Sequence, residues 1–353
     1  MAGPAPVNGA PARYAIVGRG WRAQFFLRLA RLLPDRFAVT DVLTRGADLA
    51  ASVRSGRPEF VITAVPWAAN PAYVEELVGM DVAVLSETPP APDLAGLRAL
   101  WSRVGGSGLV QVAEQYLLLP GHAARLSLVS GGVIGTPTSA QISSTHLYHA
   151  VSVLRGLLAV GFAAATVHAR VFTAPLADPL TRDGWRGGDT MIDAATTIAT
   201  LDFGAATGLY DFTDNQWWNP LRARRIVVRG SHGELVDDRV VRLVDPRTPV
   251  GSLLIRRQTG QDLNLEGADL DHISFDGDVV YRNPFPGARL SDEDIAIATM
   301  LERTALWRRG VGPAPYPLAE ACQDHLVALA IEESARTGQP VTTSRESWVG
   351  TAR

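Results

Sequence analysis

Between Arg13 and Pro120 the chain alternates two kinds of hydrophobic pattern. Short apolar runs occupy residues 14–17, 37–43, 60–65, 81–86 and 109–113. Between them lie stretches with apolar residues three and four positions apart, such as Phe25, Phe26, Leu29, Leu32 and Leu33 within residues 21–33, and the segments 71–79 and 92–104. Strand-length runs alternating with helical segments predict βαβ units around a doubly wound parallel sheet. After Pro120 the pattern changes. Helical spacing covers about 121–130 and 149–158, separated by a strand at 138–144. Strand-like runs then dominate, at 165–172, 196–203, 207–212, 225–229, 239–244, 252–257 and 279–282. Many strands with few helices predict an α/β domain with a large, mostly antiparallel open sheet. Two helices close the chain. Ser291 followed by Asp294 gives the first a capping-box start. The second spans about 317–337 and stops at Gly338. The expected organisation is a flexible tail (1–12), a first domain (13–119) and a second α/β domain (120–353).

Composition narrows the chemistry. The 353 residues carry 46% hydrophobic and 20% charged side chains, ordinary values for a folded chain of about two domains. A net charge of −3 gives no reason to expect nucleic acid or an anionic membrane as partner. Cys322 is the one cysteine, so no disulfide framework or cysteine-rich metal site can form. All 33 basic residues are arginine. With no lysine, a Schiff base, a P-loop lysine and a lysine acid are excluded. Residues 1–12 lack the basic start and apolar core of a signal peptide, and no run of about 18 apolar residues spans a membrane. The expected compartment is the cytoplasm.

Gly18-Arg19-Gly20-Trp21-Arg22-Ala23 follows a strand signal and opens a helix signal. This fits the dinucleotide-binding fingerprint of a Rossmann domain, the alternative being a tight strand–helix turn with no ligand. The first glycine permits the tight turn, the second lets backbone approach a pyrophosphate, and the small sixth residue lets helix pack on strand. The helix N-terminus then offers free N–H groups to the phosphates, the amide of Trp21 among them. At the end of the second strand stand Thr44 and Arg45, where NAD binding calls for an acidic residue. An arginine there suits a 2′-phosphate, which favours NADP over NAD. Pro66 and Trp67 after the third strand are expected to flank the adenosine–ribose side or the nicotinamide path. Glu87 is expected near the nicotinamide ribose, and Glu114 on the ligand-binding edge of the sheet. Tyr116 either assists proton transfer or packs under the cofactor. Trp217, Trp218 and Asn219 combine aromatic faces and an amide, a set suited to carbohydrate, although a packed tryptophan pair would look the same.

Further on, Glu87-Thr88-Pro89 closes the fourth strand, and Thr145-His146-Leu147-Tyr148-His149 precedes an apolar helix. With the glycine turn and the late antiparallel domain, these segments resemble the Gfo/Idh/MocA oxidoreductase family over nearly the whole chain. The resemblance implies a Rossmann domain followed by an α/β domain whose open sheet often forms the subunit contact, hence a homo-dimer or homo-tetramer. It also implies Glu-Lys-Pro where this chain has Glu87-Thr88-Pro89, the lysine lying near the nicotinamide and assisting proton transfer. In the family's Asp-x-x-x-His element the histidine is the proton carrier. His149 falls on it, Thr145 takes the place of the aspartate, and Ser152 replaces a later acidic residue. His, with a pKa near neutrality, suits the task on chemistry alone. His146 and Tyr148 are extra polar groups in the same turn. The competing reading makes His146 a cap and His149 a packed core group. The expectation is an NAD(P)-dependent oxidoreductase acting on a hydroxyl or carbonyl of a sugar-like or other polar small molecule. His149 is its proton carrier, His146, Tyr148 and Thr88 assist, and no metal is involved. The alternative is a cofactor-binding sensor or scaffold that lost the chemistry with the lysine.

Overall fold

The computed structural model describes residues 10–44, 46–181, 183–260, 264 and 266–350. Arg45 and the first nine residues of the expected tail lie outside these. Strands β1 (Ala12–Val17), β2 (Phe37–Leu43), β3 (Phe60–Thr63), β4 (Val84–Ser86) and β5 (Val110–Val112) form one parallel sheet in the order β2-β1-β3-β4-β5. The interior strands are apolar on both faces, and every residue of β3, β4 and β5 is buried. That is the pattern a doubly covered parallel sheet requires. Helices α1 (Trp21–Leu32), α2 (Leu49–Gly56), α3 (Asn70–Gly79) and α4 (Leu94–Val104) connect the strands. Helix α2 is absent from the hydrophobic pattern because it buries only Leu49 and Ser52. Its start is set by Asp48, whose carboxylate accepts from the Ala51 amide.

The strand order reverses between β1 and β3. Right-handed crossovers then leave α1 alone on one face of the sheet, with α2, α3 and α4 on the other. The uncovered face is filled from far along the chain. Helix α5 (Pro120–Ser130), strand β6 (Pro137–Ser143) and helix α6 (Leu147–Leu158) open the second domain. Strands β7 (Thr166–Ala177), β8 (Leu180–Thr181), β9 (Gly184–Trp185), β10 (Met191–Asp202), β11 (Thr207–Thr213), β12 (Arg225–Gly230), β13 (Gly233–Val236), β14 (Arg239–Asp245), β15 (Thr248–Leu253), β16 (Ile255–Thr259), β17 (Asp269–Phe275) and β18 (Asp278–Arg282) follow. Helices α7 (Asp292–Arg308) and α8 (Leu318–Thr337) and strand β19 (Val341–Thr342) end the fold. Helix α7 packs on α1, β1 and β3. Arg22, Arg28 and Arg36 of the first domain meet Glu293, Asp294 and Glu302 of α7. In space, the Rossmann layer therefore includes a helix that sequence order assigns to the second domain.

The second sheet has nine strands, β15-β14-β13-β12-β6-β11-β10-β7-β19, and its only parallel pair among the described residues is β6 with β11. The large, mostly antiparallel sheet is thus as expected. Its detail is not. The apolar run at 252–257 is broken at Leu254, with β15 in the nine-stranded sheet and β16 in a separate three-stranded one, β16-β17-β18. Strands β13 and β17 carry no strong alternation and give no signal in the sequence. Helix α6 also begins two residues before His149.

Candidate active site

Both domains wall a cavity of about 1200 Å³ at the C-terminal ends of β1 and β3, where the strand order reverses. This is the place where doubly wound sheets bind ligands. The volume exceeds the roughly 300–1,000 Å³ of a pocket for one drug-sized molecule, so it suits a dinucleotide with a second compound.

The cofactor side is built by the glycine turn. Gly18 has φ +121°, and a Cβ there would stand 2.1 Å from the Ala64 carbonyl oxygen, so only glycine fits. Gly20 is the α1 N-cap, and a Cβ on it would meet open space. The first turn of α1 has no acidic residue and no side-chain cap, which leaves its amides for an anion. Trp21 lines the cavity, and Ala23 is fully buried against the sheet, as the fingerprint requires. Thr44, Pro66, Trp67 and Glu87 also line the cavity. Arg45 belongs to the residues not described. These groups fit a dinucleotide: a closed turn, an open glycine and uncapped amides face one space.

Arg22 makes a more specific contact than the fingerprint suggests. Its Nε is 2.7 Å from Glu87 and one Nη is 3.1 Å from Glu293. One side chain thus ties α1, the end of β4 and the start of α7 together. Ser291 fixes that start by accepting from the Asp294 amide.

On the opposite wall, His146, Tyr148 and His149 come together as expected. His146 is extended (φ −98°, ψ 151°) and Leu147 is left-handed (φ +39°), so the chain turns sharply into α6. The rings of His146 and His149 stand edge-on with centroids 5.1 Å apart. The two differ in partners. His149 Nδ1 is 2.6 Å from a carboxylate oxygen of Glu114, whose other oxygen accepts from the Tyr116 amide. His149 Nε2 makes no hydrogen bond among the described residues, and the ring lines the cavity. Glu114 does not reach the cavity. The sequence analysis expects it on the cofactor; the structure places it behind His149, away from the cavity.

Burial disfavours charge on both partners of this pair. It raises the Glu114 carboxyl to about 8, against the pull of the Tyr116 amide and the Arg22 charge. It lowers His149 to about 3, helped by Arg22. The pair therefore stays neutral up to about pH 8 and loses one proton there. Below that point Nε2 carries a hydrogen; above it Nδ1–H is held by the carboxylate and Nε2 is a bare acceptor.

His146 is different. Burial and the neighbouring His149 hold it down to about 3, and it has no carboxylate. Its Nδ1, with Ser144 Oγ and Thr145 Oγ1, is buried without a hydrogen-bond partner. Ser144 and His146 line the cavity.

Trp217 and Trp218 stack with centroids 5.4 Å apart and line the cavity, and Trp217 stands edge-on to His146 at 4.8 Å. Buried Gln216 fixes their loop, donating to the Ser143 and Ala223 carbonyls and accepting from the Thr213 amide. Asn219 is not a cavity residue. Its amide donates to Ala177 and its oxygen accepts from Leu221, so it braces the loop. Thr88 and Tyr116 line the cavity, and the Tyr116 ring is tilted against that of His149 with centroids 4.3 Å apart. Burial pushes the Tyr148 phenol well up, with a hydrogen bond to Thr88 opposing, so the phenol is a donor rather than a base.

The sequence reading missed the far wall, where His122, Arg125, Arg224, Asp238, Arg256 and Asp292 gather. His122 Nδ1–H donates to the Tyr116 carbonyl, leaving Nε2 as an acceptor. The available signal was His122 and Arg125 at i, i+3 on α5. Among the described residues no group of three or more His, Cys, Asp or Glu is placed to hold a metal ion. No described helix is long and apolar enough to cross a membrane.

No family model matches the chain, and no curated protein matches it. Solved structures do. An oxidoreductase from Agrobacterium radiobacter, in complex with NAD+, L-tartaric acid and magnesium, is 16% identical, with a TM-score of 0.62 over 94% of this chain and 98% of that one. Levoglucosan dehydrogenase, in complex with NADH and levoglucosan, is 16% identical, with a TM-score of 0.64 over 95% and 100%. The WlbA dehydrogenase from Bordetella pertussis, in complex with NADH and UDP-GlcNAcA, is 15% identical, with a TM-score of 0.63 over 97% and 100%. At these identities the likeness is one of fold, and it extends through both domains.

Proposed function

We propose that the chain is an NAD(P)-dependent oxidoreductase acting on a hydroxyl or carbonyl of a polyhydroxylated, sugar-like molecule. One observation carries the reading: the Glu114–His149 pair presents Nε2 to the cavity that the glycine turn also lines. A bound nicotinamide would supply the hydride acceptor or donor. Gly18, Gly20 and the Trp21 amide would hold its pyrophosphate. His149 takes the proton from an alcohol, or returns one to a carbonyl. Ser144 and His146 bond further hydroxyls, and Trp217 and Trp218 offer aromatic faces to a sugar ring. The solved structures of like fold include dehydrogenases holding NADH with a sugar or sugar nucleotide, which supports the substrate class. A scaffold without chemistry has no use for a buried proton-exchanging pair.

The cofactor reading favours NADP. Asp41 is the one acid of β2, and its two oxygens accept from the Val42 amide and the Ser52 hydroxyl. It does not line the cavity, whereas Thr44 does. No β2 carboxylate is therefore free for the ribose hydroxyls. Isothermal calorimetry on the purified protein should show NADP binding several-fold tighter than NAD. Equal or reversed affinities remove the NADP preference, and no binding of either at millimolar concentration sinks the function.

The open sheet supports a homo-oligomer. Phe172 of β7 and Ile198 of β10 lie on one face of neighbouring strands and are 51% and 47% exposed. Replacing both by Asp should convert an oligomer to monomer in sedimentation velocity. A wild-type protein that sediments as a monomer overturns this.

A further inference from the structure

Neither the glycine turn nor the Glu114–His149 pair uses the far wall of the large cavity. Three arginines stand on it: Arg125 of α5, Arg224 after the tryptophan loop and Arg256 of β16. Two carboxylates share the wall. Asp238 meets Arg125 at 2.8 Å, and Asp292 holds Arg256 through both oxygens at 2.7 and 2.9 Å. Asp237 offers its carbonyl to Arg125 and its carboxylate to the Ile226 amide, and it does not line the cavity. Arg224 donates to the Trp217 carbonyl and meets no carboxylate among the described residues. The wall therefore keeps one positive charge with no acid against it. The pairing of the other two is partial. Asp238 and Asp292 are 57% and 42% exposed, against 13% and 33% for the arginines they meet, so water screens the acids more.

The start of α5 belongs to the same wall. It has no acidic residue in its first turn and no side-chain cap. Gly121 and His122 line the cavity, and their amides make no hydrogen bond among the described residues. This end of the helix adds its positive partial charge to the wall. Arg125 folds back over it, an Nη coming within 3.0 Å of where a Cβ on Gly121 would stand. His122 is 9% exposed, and its Nε2 has no partner among the described residues. Burial holds its ring down to about 4, with Arg125 and Arg224 adding to this and the Tyr116 carbonyl and Asp292 opposing. Burial likewise lowers Arg125, with Arg256 adding, against Asp238 and Asp237. Positive groups press on one another here.

We propose that the far wall seats an anionic group of the substrate, so that the molecule oxidised or formed is a sugar acid or sugar phosphate rather than a neutral polyol. This rests on the oxidoreductase reading and names its substrate class. Guanidinium groups meet a carboxylate or phosphate through paired N–H donors, and free helix-start amides add further ones. The cofactor side is unsuited to that anion, because Arg22 there already meets two carboxylates, Glu87 and Glu293. Tyr116 spaces the two ends of the substrate. Its ring centroid is 4.3 Å from that of His149 and 6.2 Å from that of His122. The wall thus begins two ring contacts from the proton carrier, within the span of a six-carbon chain and its terminal hydrogen bonds.

The test uses the full chain and four probes at matched ionic strength: D-glucuronate, D-gluconate and D-glucose 6-phosphate, with D-glucose as the neutral compound. Nitrogen NMR of the histidine rings is recorded near pH 5 without cofactor. An anion beside Arg125 and Arg224 opposes their effect on His122, so a charged sugar should move that ring toward its imidazolium form and D-glucose should not. A response to the phosphate alone assigns a phosphate to the wall, and a response to the other two assigns a carboxylate. In turnover with NADP, kcat/KM for the best charged sugar should exceed that for D-glucose by about tenfold or more. Arg224→Gln should cut that preference about tenfold, and Arg224→Lys, which keeps the charge, should restore part of it. If no charged sugar moves His122, if D-glucose moves it equally, or if D-glucose is turned over as well as any charged sugar, the anion seat is overturned and the oxidoreductase reading is untouched. An imidazolium response in a protein that binds neither NAD nor NADP keeps the anion seat and discards the oxidoreductase reading.

Discussion

Replacing His149 by Asn should lower turnover by about 10²- to 10⁴-fold, while affinity for the nicotinamide cofactor stays nearly unchanged. Asn keeps a hydrogen-bonding group near Glu114 but cannot exchange a proton at the position of Nε2. The glycine turn lies on the opposite wall and does not touch the ring, so calorimetry with the cofactor should not register the change. Thr88→Ala serves as the contrast. It removes one neutral hydrogen bond, roughly 0.5–1.5 kcal/mol, and should cost no more than about tenfold. His146→Asn should mainly weaken substrate binding, because His146 has no carboxylate behind it and burial keeps its ring neutral. If His149→Asn is silent and His146→Asn abolishes turnover, the proton carrier is His146 and the role given to Glu114 falls with it.

The contrast between the two histidines shows what is legible in the sequence. Strand, glycine turn and helix at residues 12–32 are readable because their signals are local: an apolar run, two glycines at fixed spacing and a 3.6-residue period. The helix that carries His149 is legible in the same way, from the apolar spacing that follows it. Glu114 is visible only as the end of a strand, where it reads as a cofactor contact. Its partner lies 35 residues away, across the contact between the end of β5 and α6, and no local pattern encodes that pairing. Asp324 and His325 share the difficulty. Asp324 holds Arg155 from a helix buried nearly all round, and His325 beside it meets the Pro92 carbonyl, so nothing in their spacing separates polar pairing from core. The return of α7 to the first sheet is hidden for another reason. Its arginine partners on and after α1 are about 270 residues upstream, as in the separation of 271 between Arg22 and Glu293. Asn219 misleads because an amide bracing a loop and an amide bonding a sugar look alike in sequence.

The pairing of Glu114 with His149 makes a pH prediction of opposite sign for the two directions of reaction. Below about 8 the pair is neutral and Nε2 carries a hydrogen, the form that donates to a carbonyl oxygen. Above it the carboxylate holds Nδ1–H and Nε2 accepts, the form that takes a proton from an alcohol. Oxidation should therefore rise through about pH 8 and reduction should fall through the same value. Glu114→Gln removes the only acid in direct contact with the ring among the described residues. The new amide oxygen keeps the Tyr116 N–H as its donor, so the NH2 faces Nδ1 and donates to it, and Nε2 keeps its hydrogen throughout the assayed pH range. The oxidation rate should fall by about 10²- to 10⁴-fold, since the accepting form of Nε2 is lost. Reduction should fall less, and its step near 8 should disappear. KM for the cofactor should hold, as Glu114 is buried behind the ring and away from the cavity. Initial rates in both directions across the pH range test this. A Glu114→Gln variant that keeps the wild-type step would assign the titration to another group, and Glu114 would be left with a purely structural place at the end of β5.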